Sequence, residues 1–239
     1  QGVPLYDFST NANACGPCPE ALAAVQQADA TRYPDPAYTR LREALGAFHA
    51  VAPDCIVLAA SASECIHRFT ALAALQGARL VSVPRHGYGD YAQAAQARGL
   101  AVVHDAAAPA GLQWACEPAG PLGGVDLQRA RWALKSEAPG TPGAASAHPL
   151  RVLDCAYAPL RLDGTLWPER VPGMWQLWTP NKALGLTGVR AAYAIAPHAE
   201  AAHRLAALAP SWPLGAHGGA LLGAWVQPSV QRWLAYCLP

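Results

Sequence analysis

The chain has 239 residues, 52 % of them hydrophobic and 14 % charged, and its 17 lysines and arginines against 16 acidic residues leave a formal net charge of +1. That apolar content is enough to bury one large α/β domain. A charge this low and balanced provides no basic field for nucleic acid and no charged run for lipid headgroups. No apolar stretch reaches the roughly 18 residues of a membrane span, and Gln1 to Leu5 lacks the basic-then-apolar order of a signal peptide. The expectation is therefore a cytoplasmic protein without nucleic-acid or membrane partners.

Apolar strand candidates at 55–60, 79–83, 100–104, 112–116, 151–154, 173–178 and 191–196 alternate with helical periods at 19–29, 38–50, 63–76, 89–98, 126–135 and 198–208. This alternation predicts a mostly parallel sheet with helices on both faces. Residues 136–149, rich in Ala, Pro and Gly, read as a surface excursion. Trp212 through Tyr236 carries one further helix-like apolar pattern.

Near the start, Cys15-Gly16-Pro17-Cys18 spells a redox dithiol or half a zinc site, yet it precedes the first helix instead of following a buried strand, and no second Cys/His pair stands at ligand spacing. The seven cysteines, odd in number and irregularly spaced, predict free thiols. Next, Ser61-Ala62-Ser63-Glu64 follows an apolar strand and opens a helix. Ser61 reads as an N-cap, and the free N–H groups of that first turn also form an anion site. Both roles are compatible.

Further along, Arg151 to Leu153 ends in Asp154, with Tyr157 three residues later. A carboxylate there either caps a turn or meets a cationic ring nitrogen. Lys182, one of two lysines in the chain, sits where the run ending at Trp178 breaks into a glycine-punctuated loop. It is either a strand-end lysine with its head in water or a desolvated amine able to form a Schiff base. Arg190, eight residues on, can hold a phosphate.

Taken in order, these segments resemble the fold type I pyridoxal-phosphate enzymes of the aminotransferase class I/II superfamily, from about residue 5 to about residue 235. Histidinol-phosphate aminotransferases and the threonine-phosphate decarboxylases of cobalamin synthesis are the nearest kinds. The opening Asp7 to Pro17 is more like the second, and Tyr33-Pro34-Asp35-Pro36 matches both. The resemblance implies an aspartate aminotransferase-like, three-layer α/β large domain over 36–212, a substrate-covering arm over 1–35, and a helix over 213–239 leading toward a small C-terminal domain.

It also implies roles. Lys182 carries pyridoxal 5'-phosphate, Asp154 meets the pyridine nitrogen, and Tyr157 meets the phenolate oxygen. Tyr88 stacks on the ring. Ser61, Ala62, Ser63, Thr179, Asn181 and Arg190 cradle the phosphate, and Tyr33 reaches the phosphate of the neighbouring subunit in a homodimer. Asn11 and Asn13 are candidate substrate contacts. One departure concerns Glu117-Pro118-Ala119-Gly120-Pro121-Leu122-Gly123, where relatives read Asn-Pro-x-Asn-Pro-x-Gly. With Gly120 in place of the second asparagine, Tyr157 is left as the main partner of the phenolate oxygen.

Three functions follow as expectations: a threonine-phosphate decarboxylase-like enzyme first, a histidinol-phosphate-type aminotransferase second, and a non-catalytic cofactor-binding relative third. The arginine that relatives use for the substrate carboxylate has no assigned counterpart.

Overall fold

The computed structural model describes residues 11–120, 123–136, 149–162 and 170–238. Asp7 to Thr10 of the opening motif, Pro121 and Leu122, and positions 137–148 of the expected excursion lie outside the described residues.

Among the described residues the sheet has seven strands: β1 (Ile56–Ala59), β2 (Leu80–Ser82), β3 (Ala101–Val103), β4 (Leu112–Cys116), β5 (Leu150–Asp154), β6 (Met174–Trp178) and β7 (Ala192–Ile195). Their spatial order is β1-β7-β6-β5-β4-β2-β3. β7 runs antiparallel to both neighbours, and the other pairings are parallel. Six strands therefore point the same way, and their carboxyl ends share one edge. β1, β6 and β7 are buried along their whole length, which explains why they read as apolar runs, broken only by Gln176 in β6, instead of alternating ones.

Helices cover both faces. α1 (Pro19–Gln26), α2 (Thr39–His49), α5 (Leu127–Ser136), α7 (Ala216–Trp225) and α8 (Pro228–Cys237) lie on one side, and α3 (Ala62–Leu75), α4 (Gly89–Ala97) and α6 (Ala199–Ala206) on the other. The first face buries Leu45, Trp132, Leu153 and Trp225; the second buries Ile66, Phe69, Tyr91 and Trp114. Strand side chains alternate between these two cores, so Val152 packs on the second and Leu153 on the first.

One expectation changes. The apolar pattern from Trp212 to Tyr236 forms two helices, not one, because Pro228 lacks the N–H that would continue α7; it becomes the first residue of α8.

Candidate active site

The sheet direction brings Ser61, Glu117, Asp154 and Thr179 to the carboxyl edge, each at or just beyond the end of its strand. This edge is where open α/β sheets bind ligands.

Ser61 caps α3 by accepting a hydrogen bond from the Glu64 N–H at 3.1 Å, while the Glu64 carboxylate accepts from the Ala60 N–H at 3.2 Å. This is a capping box shifted by one residue. The first intrahelical bond is Cys65 N–H to Ser61 carbonyl, at 3.1 Å, so the N–H groups of Ala62 and Ser63 have no intrahelical acceptor. The Ser63 hydroxyl lies 3.3 Å from the Tyr88 hydroxyl. Tyr88 precedes α4, is 52 % exposed, and meets the Tyr91 ring edge-on with centroids 6.0 Å apart.

Asp154 ends β5 and is buried. Its carboxylate accepts from the Tyr91 hydroxyl at 2.6 Å and from the Ala156 N–H at 2.9 Å. Burial raises the Asp154 carboxyl above the usual carboxylate range, against the lowering effects of Tyr91, Ala156 and Lys182. Burial likewise lifts the Tyr91 phenol well above its ordinary value, so Tyr91 stays a donor. Tyr91 is stacked on Trp114 with centroids 4.6 Å apart, which fixes its direction. It is a site residue that sequence reading missed; its only local signal is its place one helical turn after Tyr88.

Lys182 lies in a turn leaving β6. Its Nζ stands 4.2 Å from the centre of the Tyr157 ring, and it is close enough to Asp154 to act on that carboxyl electrostatically. The loop closes on itself: the Thr179 hydroxyl donates to the Ala191 carbonyl at 2.9 Å, placing Arg190 beside the loop's origin. Thr179 also contacts the Asn181 side-chain oxygen at 3.1 Å. Arg190 is exposed.

The N-terminal arm clasps this loop. Carbonyls 182, 183 and 184 accept in turn from the Asn13 N–H at 3.0 Å, the Asn13 side-chain amide at 3.0 Å and the Cys18 N–H at 2.8 Å. The Asn13 side-chain oxygen accepts from the Cys15 N–H at 3.0 Å. The Asn13 amide nitrogen thus holds the arm to the lysine loop while its oxygen closes a turn within the arm; Asn11 is exposed. Gly185 makes the close approach possible. Its φ is +64°, and a Cβ there would fall on the Gly16 carbonyl oxygen.

Tyr33 is placed elsewhere. It is 79 % exposed and packs its ring on Trp212, centroids 4.6 Å apart. Among the described residues no hydrogen bond or ring contact joins it to Lys182, Asp154 or Tyr157.

A model of the aminotransferase class I and II family matches residues 3–142. The chain belongs to that family. A histidinol-phosphate aminotransferase of Thiobacillus denitrificans is 31 % identical over 242 residues, covering 91 % of this chain and 64 % of that protein. One from Ruegeria pomeroyi is 31 % identical, covering 81 % of this chain and 57 % of that protein. The chain thus spans less than two thirds of the length of these curated relatives.

Among solved structures, a Sinorhizobium meliloti histidinol-phosphate aminotransferase in complex with pyridoxal-5'-phosphate superposes with a TM-score of 0.76 at 21 % identity, covering 95 % of this chain and 65 % of that one. The L-threonine-O-3-phosphate decarboxylase of Porphyromonas gingivalis gives 0.63 at 18 %, covering 89 % and 67 %. These likenesses establish the shared family fold, an α/β sheet with helices on both faces.

Proposed function

We propose that this chain is the cofactor-binding domain of a pyridoxal-phosphate-dependent enzyme that transaminates an amino-acid-type phosphate of the histidinol-phosphate kind. The observation that carries the proposal is the buried Asp154 carboxylate, short of positive charge at the end of β5, with the Lys182 amine on the adjoining loop. A cationic ring nitrogen relieves that deficit. A phosphate suits the N–H groups of Ala62 and Ser63 that have no intrahelical acceptor; Ser61, Thr179, Asn181 and Arg190 would add donors, and Tyr88 would stack on the ring.

When bound, the cofactor supplies an electron sink for charge developing at the substrate Cα. The residues do the rest. Asp154 would keep the ring nitrogen positive, and Tyr91 holds Asp154 in place. The Tyr157 phenol would donate to the phenolate oxygen. The Lys182 amine would carry the Cα proton. Asn13 and Cys18 keep its loop from drifting. Tyr33, exposed beside Trp212, is available to a second copy in a homodimer.

The curated relatives support transamination over the decarboxylation that the opening motif favours, since those cited are histidinol-phosphate aminotransferases. Decarboxylation of threonine phosphate is the second reading, supported by the structural likeness to that decarboxylase.

The test is an absorbance spectrum with pyridoxal phosphate. A visible band that borohydride fixes onto the Lys182 peptide, absent in Lys182→Ala of unchanged fold, is expected. Histidinol phosphate should then yield pyridoxamine phosphate; carbon dioxide released from threonine phosphate would select the second reading. No band with the wild-type protein would overturn both.

A further inference from the structure

Glu117 is 1 % exposed, immediately after β4. Its N–H donates to the Asp154 carbonyl at 3.0 Å, so the sheet fixes its backbone one strand away from Asp154. One carboxylate oxygen, Oε1, receives Arg161 Nη2 at 2.8 Å and faces Arg129 Nη1 at 3.7 Å. The other, Oε2, is buried without a hydrogen-bond partner among the described residues. Burying a carboxylate this way returns little stability, because desolvation consumes much of the attraction. Its use lies in where it holds the chain.

Arg161 closes the single 3-10 turn Ala158–Leu160 that Tyr157 opens. Leu160 N–H donates to the Tyr157 carbonyl at 3.0 Å, and Arg161 N–H to the Ala158 carbonyl at 3.3 Å. The Glu117–Arg161 pair therefore ties this turn to the end of β4, and the turn sets where the Tyr157 ring lies beneath the Lys182 ammonium. Further along the loop after β4, position 120 is a glycine, with no side chain to place beside Tyr157; a Cβ built there would meet only the His86 carbonyl oxygen, at 3.4 Å.

We propose that Glu117 is a positioning residue, which through Arg161 holds Tyr157 against Lys182. The proposal deepens the site reading above and rests on it for its functional meaning, but its geometry is testable without cofactor.

The chain has two lysines, Lys135 and Lys182, so Lys135 serves as an internal reference. Cofactor-free protein is treated briefly with acetic anhydride at fixed pH, and the acetylation ratio of the two lysines is read by peptide mass spectrometry. Glu117→Gln should raise the Lys182 ratio about two- to fivefold, the size of a lost cation–π contact. Tyr157→Leu should raise it similarly, and Glu117→Gln should add nothing in the Tyr157→Leu background. Arg161→Gln breaks the same pair from the other side and should repeat the Glu117→Gln result, which covers the case of a Glu117 variant that does not fold.

An unchanged ratio in folded Glu117→Gln or Arg161→Gln would overturn the proposal. So would an equal rise in the Tyr157→Leu background, which would mean general loosening instead of action through the ring. Neither outcome depends on the visible band of the cofactor-loaded wild type, so failure of the cofactor reading is separately visible.

Discussion

Two of the buried polar clusters among the described residues are built on opposite plans. Between α2, β7 and α7, the His49 Nε2 meets the Tyr193 hydroxyl at 2.7 Å, and the same hydroxyl accepts from Trp225 Nε1 at 3.0 Å. Burial, with a smaller effect of Arg170, pushes the His49 imidazole down to about 4, so at neutral pH this network carries no charge. At the strand ends, Asp154, Glu117, Arg161 and Lys182 are charged groups in or beside the core, and burial works against the charge on Asp154. A neutral, mutually satisfied network adds to stability. A charged one short of a partner costs stability and is kept for chemistry.

Exchanging the two clusters' roles by mutation is the sharpest way to break this contrast. Asp154→Asn should lose about 3–5 kcal/mol of cofactor hold, as removal of one partner of a buried ion pair does, or roughly 10²–10⁴-fold in Kd. The melting temperature of the cofactor-free protein should stay level or rise, since a desolvated carboxyl is gone. A fall of several degrees without cofactor would place Asp154 with the structural cluster.

Gly185→Ala tests whether the arm belongs to the site side. A left-handed φ and a Cβ driven into the Gly16 carbonyl together cost about 4 kcal/mol. The chain is expected to respond by releasing the arm, so hydrogen exchange at Asn13 and Cys18 should accelerate before the sheet is affected. Uniform acceleration across β5 and β6 would mean that the clasp is part of the core.

His49 yields a pH test. Its folded value is depressed below the unfolded 6.5, so the unfolded chain binds the proton more readily. The His49 contribution is complete above about pH 6.5 and is lost as pH falls toward 4, in total about 3 kcal/mol. In His49→Gln, denaturant midpoints should show a flatter slope across that window. An unchanged slope would remove His49 from the acid sensitivity of the fold.

The layered sheet was legible because its strands announce themselves locally: β1 and β7 are apolar throughout and β6 is apolar but for Gln176, and Asp154 and Lys182 stand out where such runs end. The site's supporting bonds were not legible, because their partners are far apart in the chain. Tyr91 finds Asp154 across 63 positions, Arg161 finds Glu117 across 44, and the Asn13 amide finds Ala183 across 170. A tyrosine one turn along an amphipathic helix reads as core, and Asn13 reads as a free amide until the fold brings the lysine loop against it. The break at Pro228 was a local signal, outweighed by the apolar pattern around it.

The smallest effect is expected at Gly120, and it separates the two plans at a single atom. The φ of Gly120 is not among the positive ones, and a built Cβ meets only the His86 carbonyl at 3.4 Å. Gly120→Asn should therefore change stability by no more than about 1 kcal/mol. If the loop after β4 borders the cofactor's phenolate oxygen, the new amide supplies a second donor there and relieves Tyr157 of acting alone. The pH midpoint of the visible band should then fall, because hydrogen bonds to the charged form of the oxygen favour it, and Tyr157→Phe should cost less in the Gly120→Asn background than in the wild type. A midpoint that does not move, with Tyr157→Phe equally costly in both backgrounds, would put the loop outside the site and leave Glu117 with a purely structural hold on the turn.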